Sequence, residues 1–274
     1  MPHSALFKEI HNIPAIPKVI QELIDDFGDD KSNADDISKK IQMDASISLK
    51  VMRLANSARY GAGRKVNSID SAIVLLGQEA LKTLVIASGV TSACKDVPGV
   101  DKRKFWRKSF TVANICKLVG RLSKVNPEVA FTCGMLHNIG DVLLYIAHTD
   151  TMARIDKMVE SGADKADLQD NQFGYNYMIV GAELARKWNF PDEIVSAIRF
   201  QKSPEEAPEE NLFAYVTNIS ALLYQQFEQG KEKEDILSQF PTEKAGKLNI
   251  DLLDLFEKLV EMYESEDDIE AFIE

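Results

Sequence analysis

Cysteine is scarce in this chain. Cys94, Cys116 and Cys133 are far apart, odd in number and never part of a CxxC pair. Neither a zinc knuckle nor a disulfide framework is indicated, and a reducing cytoplasm is the expected compartment. Histidine is also sparse: His3, His11, His137 and His148 are the full set. A catalytic metal site commonly needs three or more converging His, Asp or Glu ligands. Phosphate and nucleophile signatures are missing, with no GxSxG, GxxxxGK[ST] or GxGxxG. No apolar run reaches the roughly 18–20 residues of a membrane span. The start, MPHSALFKEIHNIPAIP, lacks the charged-then-apolar pattern of a signal peptide. No membrane association is expected.

What is present is an ordinary globular composition: 274 residues, 45% apolar and 27% charged. That length supports one large domain or two small ones. The net charge of −11 is unevenly spread: residues 205–274 hold 19 Asp/Glu against 5 Lys/Arg. Residues 95–124 hold nine Lys/Arg and two Asp. This basic stretch reads as a solvated helix face meeting the acidic C-terminal region, in preference to an anion-binding face. An acidic protein repels a polyanion, which argues against nucleic acid as a partner.

Apolar spacing is helical nearly throughout, with no sustained period-two alternation. Asp44 is placed to cap a helix presenting Ile47, Val51 and Leu54, and Asn56 and Ser57 to bond loop backbone at its end. Ser68 caps a short helix closed by Gly77. Gly77 between two helices also suggests a helix-turn-helix. The following helix, QEALKTLVIASGV, lacks the polar outer face a recognition helix needs. DVPGVD, residues 96–101, is the best linker in the first half. The expected fold is all-α and multi-helical, in two subdomains, 1–96 and 97–274. A long helix over 102–124 is followed by one opened by Pro127 that carries FTCGMLHNIGDVLL. Later helices are expected near 151–161, 164–171, 176–188, 191–202, 211–229, 232–239 and 251–263.

The pair His137-Asn138 resembles half of a metal motif. His148 lies eleven residues beyond His137; on one helix that is about 16 Å, too far to share an ion. Asp141, four residues on, can share the His137 face. Asn138 is a weak, neutral ligand, and His137 reads as a structural, hydrogen-bonded core histidine. Cys133 is flanked by Phe131, Met135 and Leu136, the setting of an inert thiol rather than a nucleophile.

Six stretches together resemble the HDOD domain (HD-related output domain) of bacterial signalling proteins. In the first half they are IPAIPKVIQEL, ISKKIQMDASISLKVMRLANSARYG and VNSIDSAIVLLGQEALKTLVIASG. In the second they are FWRKSFTVANICKLV, FTCGMLHNIGDVLL and FGYNYMIVGAELARKWNFPDEIVSAI, which includes Trp188 and Pro191. One departure is Ala45, where the family usually has Pro. The resemblance implies a second subdomain like that of the HD metal-dependent phosphohydrolases. It places the early metal-binding histidine at Lys108, the His-Asp pair at His137 and Asn138, and the late aspartate at Asn218. Two further family histidine positions fall at Tyr177 and at Gln201-Lys202. Of these, His137 alone is a plausible ligand, and a lysine ammonium at 108 repels a divalent cation.

No catalytic residue, metal or cofactor is therefore expected. The leading reading is a non-catalytic regulatory module acting through contacts with unidentified signalling proteins. Two alternatives stand: a residual phosphohydrolase or phosphodiesterase, and a sensor of a nucleotide or small anion. An anion site would use the former metal pocket with Lys108 and Arg107, or the loop containing Arg59, Arg64 and Lys65.

Overall fold

The structure, a computed structural model, describes residues 6–7, 10, 13–25, 34–56, 66–94 and 97–264. Ser57, Arg59, Arg64 and Lys65 lie outside the described residues, as do His3 and His11. The first half contains α1 (Lys18–Asp25), α2 (Ala34–Gln42), α3 (Ala45–Ala55), α4 (Ile69–Leu76) and α5 (Gln78–Ala93). Then come α6 (Lys102–Leu122), α7 (Pro127–Leu136), α8 (Gly140–Glu160), α9 (Lys165–Phe173), α10 (Tyr177–Lys187) and α11 (Asp192–Phe200). A 3₁₀ turn (Pro204–Glu206) leads to α12 (Leu212–Glu228), α13 (Lys233–Ser238), α14 (Thr242–Leu248) and α15 (Leu252–Glu264). No strand occurs among the described residues, so the all-α class holds.

Local chemistry sets the boundaries. Asp44 Oδ1 accepts from the Ser46 and Ile47 amides and opens α3. At the other end, Asn56 Nδ2 donates to Met52 O (2.8 Å) and Val66 O (2.7 Å). Its Oδ1 accepts from Val66 N at 2.7 Å, so one amide ties the end of α3 to Val66. Ser68 Oγ accepts from Ser71 N to start α4. Gly77 then turns the chain at φ +84°, a region that favours glycine. Asn126 caps α7, with Pro127 in its first turn. Pro191 stands at the N-cap of α11.

One apolar core runs from Leu6 through α5 and on to Ala214, joining both sides of the 96–101 linker. Trp188 ties the halves together. Its Nε1 donates to Pro14 O at 3.1 Å, and its own carbonyl accepts from Gln21 Nε2 at 2.8 Å. A second core joins Val112, Ile115 and Val119 of α6 to Leu255, Phe256 and Leu259 of the acidic α15. The basic helix and the acidic C-terminal region are thus packed together by apolar side chains.

Three features differ from the periodicity. The helix opened by Pro127 does not run through HNIGDVLL: it ends at Leu136, and α8 begins at Gly140. Residues 137–139 form a tight turn, with Ile139 N donating to Leu136 O and Asp141 N to Asn138 O, both at 3.0 Å. Close packing of α10 accompanies the break. A Cβ on Gly140 would lie 2.0 Å from Tyr177 O and 2.5 Å from Gly181 N. His137 and His148 do not share a continuous helix, because α8 also kinks at His148 (φ −138°, ψ 42°). Finally, α14 was not expected after Pro241; it closes on Asn249 in the left-handed region.

Pro127–Glu160 is the one described segment long and apolar enough for a membrane span, but 94% of its most apolar window is buried inside the protein. It is also broken at the turn just described.

Candidate functional site

The turn 137–139 lies within a buried polar cluster built by α6, α8, α9, α10 and the α11–α12 connection. His137 is 2% exposed. Its Nδ1 lies 2.6 Å from Gly134 O. A carbonyl only accepts, so Nδ1 carries the proton and Nε2 keeps a lone pair. That Nε2 is buried without a hydrogen-bond partner. Burial, and then the nearby Lys108 ammonium, hold the imidazole pKa down at about 3.

Asn138 is committed elsewhere: its Oδ1 accepts from Ser109 Oγ of α6 at 2.8 Å. Gln201 Nε2 donates to His137 O at 2.7 Å and to Ile198 O at 2.8 Å. Asn218 Nδ2 in turn donates to Gln201 O at 2.6 Å and Lys202 O at 3.2 Å. The side chains at 201 and 218 thus hold the backbone at 137 and at 201–202. Lys202 bridges Asp164 (2.9 Å) and Asp167 (2.6 Å) at the surface.

Asp141 is 5% exposed and fully engaged. Oδ1 accepts from Gln169 Nε2 at 2.8 Å, and Oδ2 lies 3.0 Å from Lys165 Nζ. The other end of Gln169 accepts from Tyr177 N at 2.8 Å, locking the start of α10 to the same carboxylate. Lys165 also reaches Asp156 at 3.2 Å and sits 5.4 Å above the Tyr145 ring, whose hydroxyl donates to Asp156. Burial opposes the Lys165 charge, but Asp141, Tyr145 and Asp156 outweigh it and hold its pKa above the usual lysine range. Burial, then Asp141 and Asp164, raise the Tyr177 phenol.

Lys108 is solvent-exposed at its side chain, yet the surrounding protein is close enough to lower its pKa by desolvation, against the attraction of Asp141. Its charge reaches both Asp141 and His137. The structure thus brings Lys108, His137 and Asp141 into one electrostatic group, although the turn takes Asp141 off the His137 helix. Arg107, its neighbour in sequence, acts instead on the Tyr224 phenol of α12. Cys133 is wholly buried, and burial first, then Cys116 and Glu193, raise its thiol well above the usual range.

Two ammonium groups, Lys108 and Lys165, thus oppose two carboxylates, Asp141 and Asp156. This donor set does not fit a divalent cation. One imidazole lone pair is free, the adjacent side chain is a neutral amide bonded to Ser109, and both Asp141 oxygens are taken. Among the described residues, no three His, Cys, Asp or Glu side chains converge on a metal position. Lys165, Gln169, Asp156, Tyr145 and Ser109 were not singled out by sequence. The available signal was local only: Asp164 caps α9 and so places Lys165 at its first position.

The HDOD domain family matches residues 13–204. The structure resembles that of "Putative phosphohydrolase" from Shewanella amazonensis SB2B, with 33% identity, TM-score 0.83, and coverage of 98% of this chain and 97% of that one. It also resembles "Putative signal transduction protein" from Marinobacter aquaeolei VT8, with 20% identity, TM-score 0.80, and coverage of 100% of this chain and 66% of that one. An uncharacterized Treponema pallidum (strain Nichols) protein is 22% identical over 210 residues, covering 76% of this chain. The chain spans 41% of that relative's length.

Proposed function

Because this chain belongs to the HDOD domain family, we propose that it is a non-catalytic signalling module that works in the cytoplasm by contact with other proteins. One observation carries this reading. The Asp141 carboxylate, the acidic group nearest His137 in sequence, is held by Gln169 and Lys165. With Lys108 acting on the same carboxylate, a divalent ion entering here meets two positive charges and few open donors. The network of side-chain amides at 138, 169, 201 and 218 joins α6, the 137–139 turn, α9, α10, α11 and α12, which suits a scaffold that presents surfaces. Its partner is an unidentified signalling protein.

The test is to load the full chain with manganese, iron or zinc, desalt it, and measure retained metal together with hydrolysis of bis(p-nitrophenyl) phosphate. The expected result is far less than one metal per chain and no hydrolysis above buffer. Near-stoichiometric metal, with hydrolysis abolished by His137→Ala, overturns the reading in favour of a phosphohydrolase, the activity named for the Shewanella relative.

A second reading is favoured by two groups, the unpartnered His137 Nε2 and the Lys108 ammonium whose charge acts on that imidazole. Together they offer an acceptor and a cation to a small protonated anion. Calorimetric titration with inorganic phosphate tests it; heat that vanishes in Lys108→Ala supports it, and no heat in the parent rejects it.

A further inference from the structure

Away from the His137 site, α11 and the start of α12 border an open cleft of about 600 Å³. Its lining includes the apolar Val195, Phe200, Leu212 and Phe213. Leu212 is one of the few large apolar side chains on the surface, at 36% exposed. Around them stand four carboxylates, Asp192, Glu193, Glu209 and Glu210. Glu210 is paired with Lys247 at 3.2 Å. The other three have no ion-pair partner among the described residues. Burial by the cleft wall raises the Glu193 carboxyl, so its ionised form gains from a cation placed against it. Two arginines also line the cleft, so its four carboxylates outnumber its guanidinium groups by two. Arg186 pairs with Glu183, and Arg199 lies 5.6 Å from the centre of the Phe200 ring.

A second cleft of about 350 Å³ shares Arg199 and Phe200 with the first and continues past Met178 and Ile179. Its carboxylates are Asp167, Asp170 and Glu206. Asp167 is bound to Lys202 and Asp170 to Asn176, which leaves Glu206 without an ion pair among the described residues. The two clefts form an apolar trough with acidic rims, centred on Phe200. Residues 205–274 carry a net charge of −14, from 19 acidic and 5 basic side chains, so the surrounding field has the same sign.

We propose that this trough docks a basic segment of a partner protein, in which an apolar or aromatic side chain is flanked by arginine or lysine. The proposal rests on the reading of the chain as a protein-contact module and supplies the chemistry of the contact. The apolar side chain covers Phe200 and Leu212 and displaces water from them. The flanking guanidinium groups meet Asp192, Glu193 and Glu209, where charge-assisted pairs set register and speed association. A phosphate-bearing ligand is disfavoured here, because the carboxylates of the cleft outnumber its arginines.

The experiment uses the full chain and a fluorescein-labelled peptide with a central Leu-Phe pair and two arginines on each side, read by fluorescence anisotropy. Two control peptides carry glutamate for arginine, or alanine for Leu-Phe. The parent protein is expected to bind the first peptide and neither control. Glu193→Lys with Glu209→Lys should weaken binding by about tenfold or more. The pair Glu257→Lys and Glu261→Lys, exposed on α15 outside the cleft, should change it by less than about twofold. A benzophenone at the phenylalanine position should crosslink within residues 192–213. No binding of the arginine peptide, equal loss in both charge-reversed pairs, or crosslinks elsewhere each overturn the proposal. Such a failure is separable from that of the module reading, which falls on retained metal and hydrolysis rather than on peptide binding.

Discussion

Replacing His137 with asparagine tests the electrostatics of the central turn through its pH dependence. The imidazole is buried, donates through Nδ1 to Gly134 O, and has its pKa lowered from 6.5 to about 3, first by burial and then by Lys108. In the unfolded chain the same ring takes up a proton near pH 6.5. Between those two values the unfolded state binds more protons than the native one. Native stability therefore rises with pH across that window and falls as acid is added. At about 1.4 kcal/mol per pH unit, the loss between pH 7 and pH 5 from this one group is about 2 kcal/mol.

Asparagine places an amide nitrogen near the position of Nδ1, so His137→Asn keeps a donor for Gly134 O while removing the titrating ring. It should cost about 1–2 kcal/mol at pH 7, since several buried ring atoms are lost. On moving to pH 5, however, the parent should lose about 2 kcal/mol more than the variant, and the two stabilities should converge. Urea unfolding at pH 7, 6 and 5, compared at equal denaturant slope, measures this. Asp164 is a separate contributor. Its lowered pKa persists despite desolvation because the Asp167 amide and Lys202 favour the charged form. The stability it adds is present above its unfolded pKa and lost in more acidic solution, below the window used. Parallel losses in parent and variant would refute the claim that the native state holds His137 neutral.

Other perturbations probe the same architecture. Lys165→Met should destabilise by about 2 kcal/mol, less than for a wholly buried pair because Asp156 remains partly exposed; adding Asp141→Asn should restore part of the loss, and a thermal melt that shows no rescue contradicts the pairing. Gly140→Ala drives a methyl into the α10 backbone at Tyr177 and Gly181. It should cost about 3 kcal/mol or prevent folding, so a melting temperature within a degree of the parent would refute the close crossing. Asn56→Ala removes three side-chain hydrogen bonds, to Met52 and Val66. It should lower stability by about 1–3 kcal/mol; an unchanged melting temperature would show that these bonds do not hold the end of α3 to Val66.

Legibility followed the range of the interaction. The helices were readable because burial of one face repeats every three or four residues, and Asp44 and Ser68 were readable as caps because the backbone amides that donate to them lie within three residues. The break at 137–139 was not readable. Apolar residues continue through FTCGMLHNIGDVLL, and the close crossing of α10 at Gly140 that accompanies the break is visible only in the fold. Asn138 looked like a weakened ligand. Its bond to Ser109, from a different helix, gives it a separate role as a buried link between α6 and the turn.

Lys165 marks the limit of the sequence reading most clearly. Comparison with a metal motif counts ligands gained or lost, and by that count Asp141 is one carboxylate without an ion. Physical chemistry adds a requirement the count omits: a buried carboxylate needs a compensating charge or donors. The structure supplies Gln169 on one oxygen and Lys165 on the other. Both come from α9, a helix that carries none of the positions where the family resemblance places metal ligands. The compensation is long-range in sequence and local in space, so neither spacing nor motif could announce it. It also explains why the histidine and carboxylate that remain do not make half a metal site. His137 is held neutral by burial and by Lys108, Asp141 is neutralised by Lys165, and each has its charge settled before any ligand arrives.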